Sequence, residues 1–368
     1  MYFDPSPKTK KEDLFDREKE LKELISSDSP LTMVLGVRRI GKTSLLHVFK
    51  NDSDFPAIFI DTREFSSVNA SIEDLAMTLS KSLEELSSRY RHLIKMLKKL
   101  KGIKISGVEV RIEPEGLKRS IVDIFRELNE WGEREGKKVY VIFDEAQNLR
   151  FFRRGHGITF NEIFGYIYDN LKNIRVILTG SEIGLLEEFV GLEDPASSLY
   201  GRYIKEIILK PFDEEKSLQF LMEGFKQAGM RPNRDVLENA VNRLDGIVGW
   251  LVFFGKTCID SGRIDEESID ETLKIASKVV EAEIRSLSKH SKRYIHALKV
   301  IAQGAKSWKE IKEGMEFLEK KRLTDTAVMR ILEKLEKMTF VEKTLSKDGK
   351  KQYKIVDPIV EYSVTSIL

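Results

Sequence analysis

The sequence has very little of what builds covalent or metal cross-links. Its 368 residues include one cysteine, Cys258, and five histidines. A single thiol can form neither an internal disulfide nor a cysteine-based zinc site, and Cys258 lies in an apolar run that suits a small core residue. His156 has no Cys or His partner at metal spacing, so it is not read as a ligand. Long apolar runs are also missing. The best candidate, Ile247 to Gly255, is far short of the roughly 20 residues a membrane helix needs. The first eleven residues contain Pro5 and Pro7 but no apolar signal core. A membrane protein, a secreted disulfide scaffold and a cysteine-ligated zinc enzyme are therefore excluded as readings, and a reducing, cytoplasmic location with no membrane partner is expected.

A strong net charge is absent too. The balance is only +2, with 33% charged and 41% hydrophobic residues, which is the composition of a globular protein with an ion-rich surface. The distribution is more informative. Arg285 to Leu368 carries 19 Lys and Arg against 11 Asp and Glu, while the preceding part carries 43 against 49. A basic tail on a slightly acidic body suits a polyanionic partner for the tail.

The clearest feature present is Gly36 to Ser44, G-V-R-R-I-G-K-T-S. It fits the phosphate-loop pattern G-x-x-x-x-G-K-[ST] at every fixed position. The apolar run Leu31–Leu35 before it suits a buried parallel strand. Leu45, Leu46, Val48 and Phe49 after it repeat at helical spacing. In such a loop Gly36, Val37, Arg38, Arg39, Ile40, Gly41, Lys42, Thr43 and Ser44 surround a polyphosphate. The two glycines let successive N–H groups turn inward, and the helix presents the positive end of its dipole. Lys42 reaches the β- and γ-phosphates, and the Thr43 hydroxyl ligates Mg²⁺.

A second apolar run, Val139–Phe143, ends in Asp144-Glu145. Two carboxylates at the carboxyl end of a parallel strand lie where ligands bind in such sheets. Asp144 is assigned to Mg²⁺ and Glu145 to polarising the attacking water as general base. The strand Ile174–Thr179 runs into Gly180-Ser181, so Thr179 or Ser181 caps the strand or hydrogen-bonds that water; Ser181 is taken as the catalytic candidate. Arg202, before the strand Ile204–Leu209, is an arginine finger or a sensor of the γ-phosphate, acting on its own site or a neighbour's, or else a structural ion pair. Arg150, Arg153 and Arg154 form a basic, glycine-containing loop.

The remaining pattern is helical with two hairpins. Asp16 is the expected N-cap of a helix from Arg17. A long helix is expected over Ser71–Leu100, opened by a Ser71/Asp74 capping box and strongly basic at its end. A hairpin is expected over Ile103–Ile112 with Ser106-Gly107 at its turn, and an amphipathic helix over Leu117–Arg134. Short helices over 213–262 make a lid, followed by a helix over 264–285. Helices at 294–302, 307–314 and 324–338, then strands at 340–345 and 352–356, make a winged helix-turn-helix. Arg330, Lys334 and Lys337 would approach DNA from its third helix, and Lys347, Lys350 and Lys351 from the wing. Against that, Asp325, Glu333 and Glu336 share the third helix, and it has no Asn, Gln or paired Arg to read bases.

The combined motifs resemble the archaeal ATPase family of the STAND group within the AAA+-related P-loop proteins. The resemblance rests on R-E-x-E-L at Arg17–Leu21, the loop at Gly36–Leu46, D-E-A-Q at Asp144–Gln147, T-G-S at Thr179–Ser181, Y-G-R at Tyr200–Arg202 and D-P-I-V-E-Y at Asp357–Tyr362. It implies an α/β P-loop core, a parallel sheet with helices on both faces, over residues 1–211. It further implies a helical lid over 212–284 and a C-terminal winged helix over 285–368. The implied activity is Mg²⁺-dependent ATP hydrolysis, slow until a partner stimulates it, driving a switch that acts on double-stranded DNA through 324–351 or on a protein. Oligomerisation is compatible with it. The resemblance also places Arg17 against the adenine and a polar strand end at the γ-phosphate. One departure is Val248, which stands in G-I-V-G-W where such lids carry proline. The alternative is a DNA-binding initiator or transcriptional regulator resembling origin-recognition proteins, in which ATP binding rather than turnover matters. Those proteins carry a lid arginine near 246–250, and this sequence has none there. ATP is preferred over GTP because no N-K-x-D motif is visible.

Overall fold

In chain order the strands are β1 (Leu31–Leu35), β2 (Ala57–Asp61), β3 (Ile103–Ser106), β4 (Glu109–Ile112), β5 (Val139–Asp144), β6 (Ile174–Gly180), β7 (Lys205–Ile208), β8 (Val341–Leu345) and β9 (Lys351–Ile355). This computed structural model describes every residue except 66–70, 101, 107–108, 153–157, 289–290, 347 and 367–368. Gly107, Arg153, Arg154, His156 and Lys347, singled out above, therefore lie outside the described residues.

Five strands form one parallel sheet in the order β2-β5-β6-β1-β7. The register aligns Leu35 with Gly180 and Asp61 with Asp144, so the loops after β1, β2, β5 and β6 emerge along one edge. That carboxyl edge is where open α/β sheets bind ligands. Helices cover both faces. Leu31, Met33, Val141 and Val176 pack on one side with the helices Ile72–Arg89, Pro114–Glu135 and Phe160–Asn170; Val34, Ile142 and Ile177 pack on the other with Leu45, Leu46 and Phe49 of the helix Lys42–Asp52. Burial on both faces explains why these strands read as continuous apolar runs rather than alternating ones.

After β7 come the helices Glu214–Gln227, Arg234–Leu244, Val248–Ser261 and Glu266–Ser288. The helices Arg293–Ala302, Trp308–Glu319 and Asp325–Lys337, the β8–β9 hairpin and a final helix Pro358–Ser366 complete the chain. The third of these helices and the hairpin are the recognition helix and wing of a winged helix. One continuous apolar cluster joins the lid residues Trp250, Phe254 and Leu273 to Val328, Leu332 and Ile359. The helix Glu266–Ser288 runs through the expected 284/285 boundary. Among the described residues no helix is long and apolar enough to cross a membrane.

The start of the chain belongs to the lid. Phe3 is 1% exposed. Its ring stands where a Cβ on Gly224 or Gly255 would come within 2.3 or 2.4 Å of it, so two glycines make its slot. Phe3→Ala empties a buried aromatic site and is expected to destabilise the lid by about 3–5 kcal/mol. A thermal melt in which the variant's transition does not move would contradict this packing.

Two expectations need correction. Asp16 is not an N-cap: its φ is +51°, Arg17 holds the cap position, and the Asp16 carboxylate pairs instead with Lys216 of the lid. The single helix over Ser71–Leu100 is two, Ile72–Arg89 and Arg91–Leu97. The break falls at Tyr90, whose backbone leaves the helical region. Its ring packs edge-on against Trp131 at 5.2 Å, and tertiary packing outweighs local helix preference there. The Ser71/Asp74 capping box forms as expected.

Candidate nucleotide site

The phosphate loop links β1 to the helix Lys42–Asp52. A Cβ on Gly36 would stand 2.7 Å from the Leu209 carbonyl oxygen, and Gly41 has φ +97°. Both positions therefore require glycine. Arg39 also adopts a left-handed conformation, φ +64°, while Ile40 between it and Gly41 does not, and such alternation turns successive N–H groups inward into an anion-binding nest. Lys42 is buried, and its Nζ donates to the carbonyls of Gly36 at 2.8 Å and Val37 at 3.0 Å. Burial lowers the Lys42 pKa, and the neighbouring Glu145 and Asp144 carboxylates oppose that shift.

The carboxylates of β5 meet the loop. Thr43 Oγ1 donates to Asp144 Oδ2 at 2.8 Å, and Thr179 Oγ1 donates to Asp144 Oδ1 at 2.5 Å. Burial raises the Asp144 pKa against the pull of those two hydroxyls. Glu145 has φ +55°, a conformation costing a non-glycine residue roughly 1–2 kcal/mol. Thr62 holds this turn, with Oγ1 donating to the carbonyls of Asp144 at 2.7 Å and Glu145 at 2.6 Å. The turn brings Glu145 Oε1 to 3.9 Å from Lys42 Nζ. Glu145 Oε2 accepts from Ser181 N at 2.9 Å, Ser181 Oγ at 2.8 Å and Gln147 Nε2 at 2.8 Å. Burial pushes the Glu145 pKa up, but Lys42, Gln147 and Ser181 together hold it below its ordinary value.

Lys42, Thr43, Asp144, Glu145 and Ser181 are thus brought together; the other candidates are placed differently. The Ser44 hydroxyl accepts from Lys8 N at 3.0 Å, tying down the N-terminal segment. Arg17 is buried and donates to the Lys210 carbonyl at 2.8 Å while lying over the Phe212 ring; it braces the passage from β7 into the lid. Arg202 makes a two-pronged pair with Asp169, at 3.1 and 2.6 Å. It precedes β7, whose Lys205 is level with Thr32 near the start of β1. Arg202 therefore sits at the amino edge of the sheet, roughly 20 Å along the strands from Gly36, and does not reach its own loop. Ile40 is buried in the core beneath the loop, and the Val37 side chain packs against both the core and the lid.

Arg38 and Arg39 turn away from the loop toward the rest of the molecule. Arg38 pairs with Glu182 at 2.8 Å and lies over the Phe340 ring at 5.3 Å. Arg39 pairs with Glu283 of the lid at 2.5 Å, approaches Asp357 at 3.9 Å and stacks on Trp250 at 4.4 Å. Trp250 Nε1 donates to Asp357 Oδ1 at 2.9 Å. Burial raises the Asp357 pKa, while the Ile359 N–H, Arg39 and Trp250 oppose it. Gly249 N donates to the Arg39 carbonyl at 2.9 Å, and Val248, where proline was expected, lies against Gly41, so this end of the lid rests on the phosphate loop. Sequence reasoning did not identify Glu182, Glu283, Trp250, Phe340 or Gln147 as part of this region. The available signals were motif positions noted above without a role: Gln147 at the end of D-E-A-Q, Trp250 at the end of G-I-V-G-W, and Asp357 at the head of D-P-I-V-E-Y.

The donor set fits a nucleoside triphosphate with Mg²⁺. A glycine-gated nest and a buried lysine suit the phosphates, and Thr43 with Asp144 supplies the hydroxyl and single carboxylate with which Mg²⁺ sites are built around phosphates. Among the described residues no cluster of three or more His, Cys, Asp or Glu offers an all-protein metal cage.

A parallel sheet with this loop at its carboxyl edge, followed by a lid and a winged helix, defines the class as a P-loop ATPase fold. A family described as an ATPase domain predominantly from Archaea matches residues 14–254, and the chain belongs to that family. The C-terminal winged helix-turn-helix domain of MCM proteins matches residues 288–356. Among solved structures, the Walker-type ATPase paby2304 of Pyrococcus abyssi is 36% identical, with a TM-score of 0.85 over 99% of this chain and 100% of that one. The ORC2 protein of Aeropyrum pernix, in ADPNP and ADP complexes, is 15% identical with a TM-score of 0.47 over 99% and 97% of the two chains. Cdc6p of Pyrobaculum aerophilum is 16% identical with a TM-score of 0.44 over 99% and 96%. No curated protein matches the sequence.

Proposed function

We propose that the protein is an Mg²⁺-dependent ATPase whose phosphate loop reports nucleotide occupancy to the winged helix. The observation that carries this reading is the double duty of the loop. The segment that would cradle the triphosphate also supplies Arg38 and Arg39, the cations that bind Glu182, Glu283 and Asp357.

In the hydrolytic part, the loop N–H groups and Lys42 bind and orient the triphosphate. Mg²⁺, held by Thr43 and Asp144, would neutralise charge on the phosphates. Glu145 Oε2 is fixed by Ser181 and Gln147, which leaves Oε1 to take the proton of the attacking water. Ser181 thus acts by positioning Glu145. Arg202, at the far edge of the sheet, would act only on the nucleotide of a second copy. Membership in an ATPase family and likeness to a Walker-type ATPase support turnover.

In the switching part, several negative charges arriving within a few ångströms compete with the three carboxylates for Arg38 and Arg39. Asp357 opens the final helix, and Phe340 precedes the wing. Loosening them loosens the winged helix, whose docking on the core also uses Lys337–Glu188 at 2.9 Å and the Thr339 hydroxyl, which accepts from Ile183 N at 3.0 Å. A Cβ on Gly184 would stand 2.8 Å from Lys337 Cα. The end of the recognition helix is therefore covered while docked, and undocking would free it for double-stranded DNA or a protein. The domain division at 211/212 and 284/285 is kept as part of this proposal, with the helix Glu266–Ser288 shared between lid and winged helix.

The test is amide hydrogen exchange over 325–366 with and without ATP and Mg²⁺. Asp357→Asn removes the carboxylate charge that Arg39 approaches at 3.9 Å and weakens the charge-assisted hydrogen bonds it accepts from Trp250 and Ile359, a change of roughly 1.5–3 kcal/mol. Exchange in the final helix should accelerate on the order of 10- to 100-fold without nucleotide. By reciprocity the same variant should bind ATP more tightly. Unchanged exchange together with unchanged affinity would separate the loop from the winged helix.

A further inference from the structure

Between β2 and β5 the chain makes an excursion through the helices Ile72–Arg89 and Arg91–Leu97 and the β3–β4 hairpin. From Arg89 to Arg111 it carries eight Lys and Arg and a single carboxylate, Glu109. The rest of the chain before Arg285 carries 35 Lys and Arg against 48 Asp and Glu. Basic charge is therefore concentrated in this stretch and not spread over a generally lysine-rich surface. The recognition helix Asp325–Lys337 holds three of each sign.

Packing aims these charges outward. Leu93, Met96 and Leu97 are buried in the main core, which leaves Arg89, Lys95, Lys98, Lys99, Lys104 and Arg111 exposed. Lys95 lies in the last turn of the helix Arg91–Leu97, and Lys98 and Lys99 follow in the turn that closes it. Lys104 pairs with Glu113 at 2.5 Å. Among the described residues the other five make no ion pair. Arg89 and Lys137 both approach the Tyr90 ring, at 5.8 and 5.5 Å, which extends the patch to the start of β5. The Tyr90 hydroxyl donates to the Asp54 carbonyl just before β2. The patch thus begins at the amino edge of the sheet, opposite the nucleotide.

We propose that this excursion is a docking surface for a nucleic-acid phosphate backbone, separate from the winged helix. The helix Arg91–Leu97 alone spans about 10 Å, a length over which duplex DNA carries roughly six phosphate charges. The described part of the stretch exposes no large apolar side chain. A protein interface draws its binding energy from buried aromatic and apolar anchors, and membrane insertion needs an apolar face. A phosphate backbone needs neither.

The experiment measures binding of a labelled short duplex DNA to the full chain across salt concentrations, with anionic phospholipid vesicles in parallel. Lys95→Ala/Lys98→Ala/Lys99→Ala should reduce the slope of log affinity against log salt by about 3, at 0.9 per phosphate contact, with an affinity loss on the order of 10- to 100-fold. The Lys→Arg version should retain binding, and both should keep the wild-type melting temperature and basal ATP hydrolysis. The loss should persist in a Lys350→Ala/Lys351→Ala background, which separates this surface from the wing. An unchanged slope in the triple-alanine variant, no DNA binding by the wild type at low salt, or binding to the vesicles alone would each overturn the proposal.

Discussion

Lys42→Ala is expected to weaken ATP binding by roughly 30- to several-thousand-fold. The ammonium is buried, lies on the loop carbonyls of Gly36 and Val37, and faces Glu145 at 3.9 Å. Removing one partner of a desolvated charge pair costs about 2–5 kcal/mol, and here the lost partner is the only lysine inside the loop. The same change takes from Glu145 a cation that holds its pKa down, so the remaining carboxylate should titrate upward. Equilibrium binding of a fluorescent ATP analogue reads the first effect, and isotope-edited infrared spectra of the carboxylates read the second. Unchanged nucleotide affinity would mean that the loop is not the site.

Glu145→Gln should leave ATP binding near wild type and lower turnover by a factor on the order of 10² or more, the usual contribution of a positioned general base. The amide retains the shape and can still accept from Ser181, but it takes no proton. Its NH₂ group also meets the Gln147 Nε2 or the Lys42 ammonium, two donors facing donors. Some loosening of the β5 turn is therefore expected alongside the loss of rate. Single-turnover hydrolysis separates the chemical step from product release. Near-normal turnover would remove Glu145 as base and shift attention to Asp144.

The nucleotide loop was legible because its chemistry is local. Two glycines, a lysine and a threonine at fixed spacing, between an apolar strand and an apolar helix, leave few other readings. Asp144 and Glu145 were legible because a fully buried strand ending in two acids is costly without a cation or ligand. The parallel sheet and the winged helix followed from period and order.

The coupling was not legible because its partners are remote in sequence. Arg38 finds Glu182 at a separation of 144 residues and Arg39 finds Glu283 at 244; no local pattern selects those carboxylates among the many on the surface. The helix break at Tyr90 and the role of Asp16 failed for a related reason. Each is set by a contact, with Trp131 or Lys216, that only tertiary packing supplies. Ser181 was picked out as a residue that hydrogen-bonds water, but its hydroxyl is given to Glu145, a distinction that depends on the left-handed turn after β5.

The most direct measurement is phosphate release from ATP by the purified wild-type chain, with and without Mg²⁺, beside Glu145→Gln. Release that requires Mg²⁺ and falls at least on the order of 10²-fold in the variant is the predicted result. Release that is equal in the two proteins would contradict the assignment of Glu145, release indifferent to Mg²⁺ would contradict that of Thr43 and Asp144, and no release above background from the wild type would contradict the account of this protein as an ATPase.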